Sequence, residues 1–237
     1  DKVQNGKINT EIEIYFNEKN LIDNFITRGS VKNLSVKIFK NIILEKTSFT
    51  FTADKTDVLI KKIYSESSQI KIRQGDVKVQ LLPEINLTSN FKSSLKYNGQ
   101  SKNLKKLFSN FRNFENISLL DIELTNYFSV SFDTTYKVKN FDYKNNGEII
   151  NAKFNLKDLI NNSLFKEKIN VVSLVNTQVK SEFNLDKSNY TLSGKYLLKD
   201  ETPLKFKLEN IARKDNFEVN FEADFNKELD LKYINYR

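Results

Sequence analysis

The chain has 237 residues, 39% of them hydrophobic and 29% charged, with a net charge of +8 and no Cys, His, Met or Trp. Lacking Cys and His, it cannot build disulfides, thiol nucleophiles, Ser-His-Asp triads, imidazole bases or thiolate and imidazole metal sites. The apolar content suits a packed face and argues against general disorder. No run approaches the roughly 18 apolar residues that cross a bilayer as a helix.

The chain opens Asp1-Lys2-Val3-Gln4, with no initiator Met and no signal peptide, so it reads as a piece of a longer or processed protein whose anchor or export signal lies upstream. The positive charge does not point to nucleic acid. Only five of the 38 basic residues are Arg (Arg28, Arg73, Arg112, Arg213, Arg237), and Arg is the residue of bidentate phosphate and base recognition. The lysines alternate along strands instead of forming one stripe, and the wealth of Lys, Asn and Ile is what an AT-rich genome produces.

In chain order, Thr10, Ile12, Ile14 and Phe16 alternate and predict a first strand. Asn17 caps a predicted helix, Glu18 to Ile26, with Leu21, Ile22, Phe25 and Ile26 on one side and Gly29 as its stop. Strands follow at Leu34-Val36-Ile38, Phe49-Phe51-Ala53, Val58-Ile60, Ile70-Ile72 and Val77-Val79-Leu81, the last ended by Pro83. Ile85 to Phe91 and Leu95-Tyr97 form a pair or one long bent strand. Ser101 opens an amphipathic helix, with Leu104, Leu107, Phe108, Phe111 and Phe114 on one side and Lys102, Lys105, Lys106 and Arg112 on the other. That helix packs over the rim of the sheet or, being basic, meets a membrane surface or gates a groove.

Strands resume at Ile122-Leu124 and along Phe128, Val130, Phe132, Thr134, Tyr136 and Val138, the longest unbroken alternation. Asn145-Asn146-Gly147 reads as a hairpin turn before Ile150-Ala152-Phe154, and Asn155 to Phe165 as a second short helix. From Val179 the period of two is clearest: Phe183; then Tyr190, Leu192, Gly194, Tyr196; Leu204, Phe206, Leu208; Phe217, Val219, Phe221; and Leu229, Leu231, Tyr233. Charged residues stand between them, and the links carry Asn, Asp, Lys and Pro. This predicts a five-stranded meander with one apolar and one wet face. The glycines lie at multiples of about 23 residues, roughly the length of a hairpin with its turns, a hint of a hairpin repeat.

Little chemistry is on offer. Glu218, Glu222 and Asp224 form a carboxylate row beside Lys205 and Lys207; calcium is conceivable, but a cross-strand charge ladder fits better. Asp121 and Glu123 make a second pair without the cleft, aromatic platform or convergent acid of a glycosidase. The Asn-x-Ser/Thr triplets are chance products of an Asn-rich chain, and there is no glycine-rich phosphate loop. The reading is therefore of a protein without catalytic residues, metal or cofactor.

The strand motifs "TRGSVKNLSVKIFKN", "FTFTA", "IKIRQGDVKVQL", "NLKKLFSNF", "YKVKNFDYKNNGEIINAKFNLKDLI" and "SNYTLSGKYLLKDETPLKFKLEN" resemble the AsmA-like family of Gram-negative envelope proteins. The likeness is closest to the YhdP branch and more distant to TamB, and runs from about Gly29 to Tyr236. The chain departs from the family in having no Trp near Leu204 to Leu208. The resemblance implies an all-β, elongated, mostly antiparallel meander curled into an open half-pipe groove. It implies one segment over residues 1–237, with a sub-boundary near 99–116. It also implies a periplasmic protein tethered to the inner membrane by a segment outside this chain, carrying phospholipid acyl chains between the two membranes. Its partners would be those lipids, the remaining segments of the same chain and a membrane surface.

The lining expected of such a groove is Leu34, Val36, Ile38, Phe49 and Phe51 in the first strands and Ile70, Ile72, Val77 and Val79 in the next. Phe128, Val130, Phe132 and Tyr136 follow, then Phe183, Tyr190, Leu192 and Tyr196, and finally Leu204, Phe206, Leu208, Phe217, Val219 and Phe221. Two rivals share the alternation: a β-sandwich acting as a non-catalytic scaffold or surface interaction protein, and an outer-membrane barrel, against which the two helices argue.

Overall fold

The computed structural model describes residues 3–38, 42–67, 69–102, 104–105, 116–156, 169–198, 202–213 and 216–226. The first strands are β1 (Val3–Gln4), β2 (Lys7–Phe16), β3 (Ile22–Ile38), β4 (Ile42–Ala53), β5 (Asp57–Glu66) and β6 (Ile70–Gln80). Next come β7 (Ile85–Tyr97), β8 (Ile117–Phe132), β9 (Val138–Asn155) and β10 (Val171–Asn184). The last are β11 (Lys187–Leu198), β12 (Leu204–Arg213) and β13 (Asn216–Ala223). All belong to one sheet in which every pairing is antiparallel and consecutive strands are neighbours. The one variation is at the start, where β1 and β2 both pair with β3.

The all-β, elongated antiparallel meander expected from the alternation is what the chain forms. The expected curl into a half-pipe is not present: the sheet is open and uncurled. Each strand pairs only along the ladder, no second layer lies over it among the described residues, and the lateral edges, β1–β2 and β13, stay apart. An unpaired pair of edges also rules out a closed barrel for the described strands. The accessible surface of 16853 Å² exceeds by about half the roughly 11,000 Å² of a compact monomer of 27.7 kDa. A sandwich of two packed sheets would not leave so much surface open.

Three local expectations are overturned. The helix expected from Glu18 to Ile26 is a turn followed by β3. Asn17 caps that turn, its Oδ1 accepting from Lys19 N at 2.9 Å and Leu21 N at 3.0 Å. Gly29 therefore lies inside a strand, not at a helix end. Asn145-Asn146-Gly147 sits in the middle of β9, paired with β8 and β10 on either side. Gly147 is there for close approach, since a Cβ would lie 2.0 Å from Glu123 O. The run Phe132 to Val138 is broken by a turn in which Asp133 Oδ1 accepts from Thr135 N at 2.7 Å and Lys137 N at 3.0 Å. Ile85 to Tyr97 is one strand.

At one end of the sheet the turns are tight, and Asn17, Asp54, Asp133 and Asn184 each cap one with a side-chain oxygen. The longer connections leave the opposite end. There Ser101 starts a helical turn, its carbonyl accepting from Lys105 N at 2.9 Å and its hydroxyl from Leu104 N at 3.3 Å. Leu104 is buried in one hydrophobic cluster with Leu44, Tyr97, Ile117, Leu120, Ile149 and Ala152. The rest of that helix, nearly all of the one expected at Asn155 to Phe165, and the strand at Leu229 to Tyr233 lie outside the described residues.

Candidate functional site

The candidate site is the apolar face of the sheet. Successive side chains of a strand point to opposite faces, so the registers define which residues share one. Across β7 to β12 one row runs Tyr97, Leu120, Ala152, Leu174, Tyr196, Leu204. Another runs Leu87, Val130 and Phe141. On the first strands Ile12 stands opposite Thr27, Ile8 opposite Val31, Val31 opposite Phe49 and Phe51 opposite Ile60. The last strands carry Phe206 opposite Ala223 and Leu208 opposite Phe221. Aromatic rings meet on this face at Phe49–Phe51, Phe128–Phe141, Tyr143–Phe183 and Tyr196–Phe206, with centroids 5.6–6.4 Å apart.

A plain period of two would not keep this face apolar. In β3, β4, β5, β6 and β10 the inward positions skip from Val31 to Leu34, Leu44 to Thr47, Ile60 to Ile63, Ile72 to Gly75 and Leu174 to Thr177. At each skip the register shifts. One residue per skip has a left-handed backbone: Asn33 (φ 55°), Lys46 (φ 50°), Lys62 (φ 58°), Gln74 (φ 51°) and Asn176 (φ 46°). These are β-bulges, which restore the phase of the alternation by inserting a residue.

Polar residues interrupt the face along the row Phe91, Asn126, Asn145, Ser181, Tyr190, Asn210. Asn126 is 2% exposed. Its Nδ2 donates to Ser93 Oγ at 2.9 Å and to the carbonyls of Phe91 and Leu124 at 3.3 Å, while its Oδ1 accepts from the Tyr143 hydroxyl at 2.7 Å. Burial pushes the Tyr143 phenol above its ordinary pKa, with a hydrogen bond from Asn145 pulling the other way. Full pairing is what makes a buried amide tolerable here.

Exposure grades across the face. Central residues are buried or half-buried, but the rims are open: Ile8 is 67% and Ile12 60% exposed on β2, Phe217 77% and Phe221 66% on β13. Each rim side chain lacks a neighbour on one side.

The other face is wet and internally paired. Lys96 reaches Asp121 at 2.8 Å, Lys144 bridges Asp142 at 3.1 Å and Glu182 at 3.3 Å, and Lys187 meets Glu182 at 2.9 Å. Hydrogen bonds from the Tyr64 hydroxyl and then Lys46 hold Glu66 down at about 2. A shallow depression of about 440 Å³ lies here between β7 and β10, lined by Asn90, Thr125, Tyr127, Lys144, Lys180 and Glu182 among others. Glu218 and Glu222 stand on this face of β13, with Glu222 opposite Lys207, which itself bonds Glu209 at 2.7 Å. Asp121 is committed to Lys96, and Glu123 stands opposite Glu148. Among the described residues no cluster of acidic side chains could hold a metal ion.

Of the residues expected to line a groove, the described side chains from Leu34 to Phe132 and from Phe183 to Phe221 share the apolar face by register. Ile38 pairs with Ile42 at the end of the β3–β4 ladder. Tyr136 does not belong: it sits in the turn after β8 with φ 61° and is 76% exposed. The expectation missed Ile63, Phe141, Tyr143, Ile149, Leu174 and Val179, which the face also carries. The signal at Ile63, Ile149 and Leu174 was the spacing of three at the register shifts; Phe141 and Tyr143 lie in a run masked by the supposed turn, and Val179 already kept the period of two.

No protein-family model, no curated protein and no solved structure matches the chain.

Proposed function

We propose that this sheet is a segment of a bridge-like lipid transfer protein, carrying phospholipid acyl chains between the inner and outer membranes along its apolar face. In this reading it works in the periplasm, tethered to the inner membrane by a segment outside this chain, and performs no covalent chemistry. The observation that carries the reading is the single apolar face running from β2 to β13, kept in phase by bulges and open at both rims. Moving an acyl chain into water costs about 0.8 kcal/mol per methylene, or on the order of 13 kcal/mol for sixteen carbons. A carrier lowers that cost only with a continuous apolar path. Twelve neighbouring strands at about 4.8 Å each give roughly 55–60 Å of one.

The test is native mass spectrometry of the purified chain, with lipid extraction of the same sample. Phospholipid adducts that disappear on delipidation are expected. A protein that carries no lipid, and takes up none from phosphatidylethanolamine micelles, would leave the scaffold reading in its place.

A further inference from the structure

We infer that the free edge of β2 pairs with the β2 of a second copy of this chain, antiparallel about a two-fold axis at Thr10. Among the described residues β2 bonds only to β3, so its outer backbone edge is open, and all ten of its residues are exposed. An open edge strand is a template for another strand. The sequence of this one is self-complementary. Centred on Thr10, the antiparallel register sets Lys7 opposite Glu13, Ile8 opposite Ile12 and Asn9 opposite Glu11, and the two-fold axis makes each pair twice. Opposite charges and apolar side chains directly across from one another are the pairs that stabilise a ladder.

Neighbouring registers fare worse. A slip of one residue sets apolar side chains opposite charged ones. A slip centred on Glu11 places that carboxylate across from itself, and one centred on Asn9 leaves Ile8 facing Thr10. The far edge offers no equivalent: about Val219, β13 would set Phe217 opposite Phe221 but Glu218 opposite Asn220, with no pair of opposite charges. A two-fold axis normal to the sheet also keeps both apolar faces on one side, so the join would lengthen the face and cover Ile8 and Ile12. Glu13 already accepts from the Tyr15 hydroxyl at 2.7 Å and from Arg28 at 2.8 Å, which together hold its carboxyl below the usual range and in place to meet Lys7.

Sedimentation velocity on the whole chain tests the pairing. The wild type should dimerise, and Lys7→Glu and Glu13→Lys should each weaken self-association by roughly tenfold or more, because like charges then face each other twice. An equimolar mixture of the two variants should dimerise again, since both contacts become Glu–Lys pairs. Thr10→Cys should cross-link between copies on mild oxidation, and Val219→Cys should not. A wild type that stays monomeric, cross-linking through Val219→Cys instead, or a mixture of folded variants that fails to associate would each overturn the inference.

Discussion

At the scale of single residues, a side chain's place on the face decides what a charge would do there. Phe206 and Phe221 share the apolar face on neighbouring strands, yet Phe206 is 9% exposed, packed with Ile169, Tyr196 and Leu198, and Phe221 is open to water. Phe206→Asp buries an unpaired charge and should cost about 3 kcal/mol or more, while Phe221→Asp should stay within about 0.5 kcal/mol of wild type in urea titration. Equal losses at both positions would mean that β13 is covered. The turn carboxylates make a second prediction. Hydrogen bonds from Thr135 and Lys137 hold Asp133 below its ordinary value of 3.8, and bonds from Thr56 and Asp57 do the same for Asp54. A depressed folded-state pKa means stabilisation that is complete above the unfolded value and lost as pH falls through the folded one. Stability should therefore decline below about pH 4, and Asp133→Asn, which keeps the acceptor without the charge, should flatten that decline. An unchanged urea midpoint profile from pH 2 to 5 would contradict it.

At the scale of elements, the strands and their two faces were legible and the interruptions were not. Alternation from Tyr190 to Phe221 names the apolar face correctly because those strands carry few irregularities. Upstream, Val31 to Leu34 and Ile60 to Ile63 break the period at bulges, which a reader counting in twos sees as strand ends. Leu21, Ile22, Phe25 and Ile26 satisfy a helical spacing as well as a strand entered from a turn, and the β2–β3 ladder settles the choice. Gly147 imitates a turn residue, although what it answers is the backbone of Glu123. Tyr136 keeps the alternation while standing in a turn, since nothing in period two distinguishes the Asp133 cap. The bulges carry a prediction of their own. Lys62 holds φ 58°, a region open to Gly and hostile to β-branched residues. Lys62→Val should cost about 1–2 kcal/mol and Lys62→Gly should be tolerated; the reverse order in thermal unfolding would remove the bulge from the account.

At the scale of the whole molecule, one open sheet with one apolar face can hold hydrocarbon, a second copy, or both at different places, and the two proposals separate by position. The second copy is assigned to the outer backbone edge of β2; hydrocarbon is assigned to the apolar side of the sheet from β2 to β13. Neighbouring residues of a single strand report on that face most directly, because they differ in little but the side they point to. Benzophenone placed at Phe221, or at Glu222 beside it, should be irradiated in cells that make the full-length protein. The account predicts phospholipid adducts from position 221 and none from position 222. Adducts in equal yield at both positions, or at neither while the fold is intact, would contradict the claim that the apolar face carries lipid.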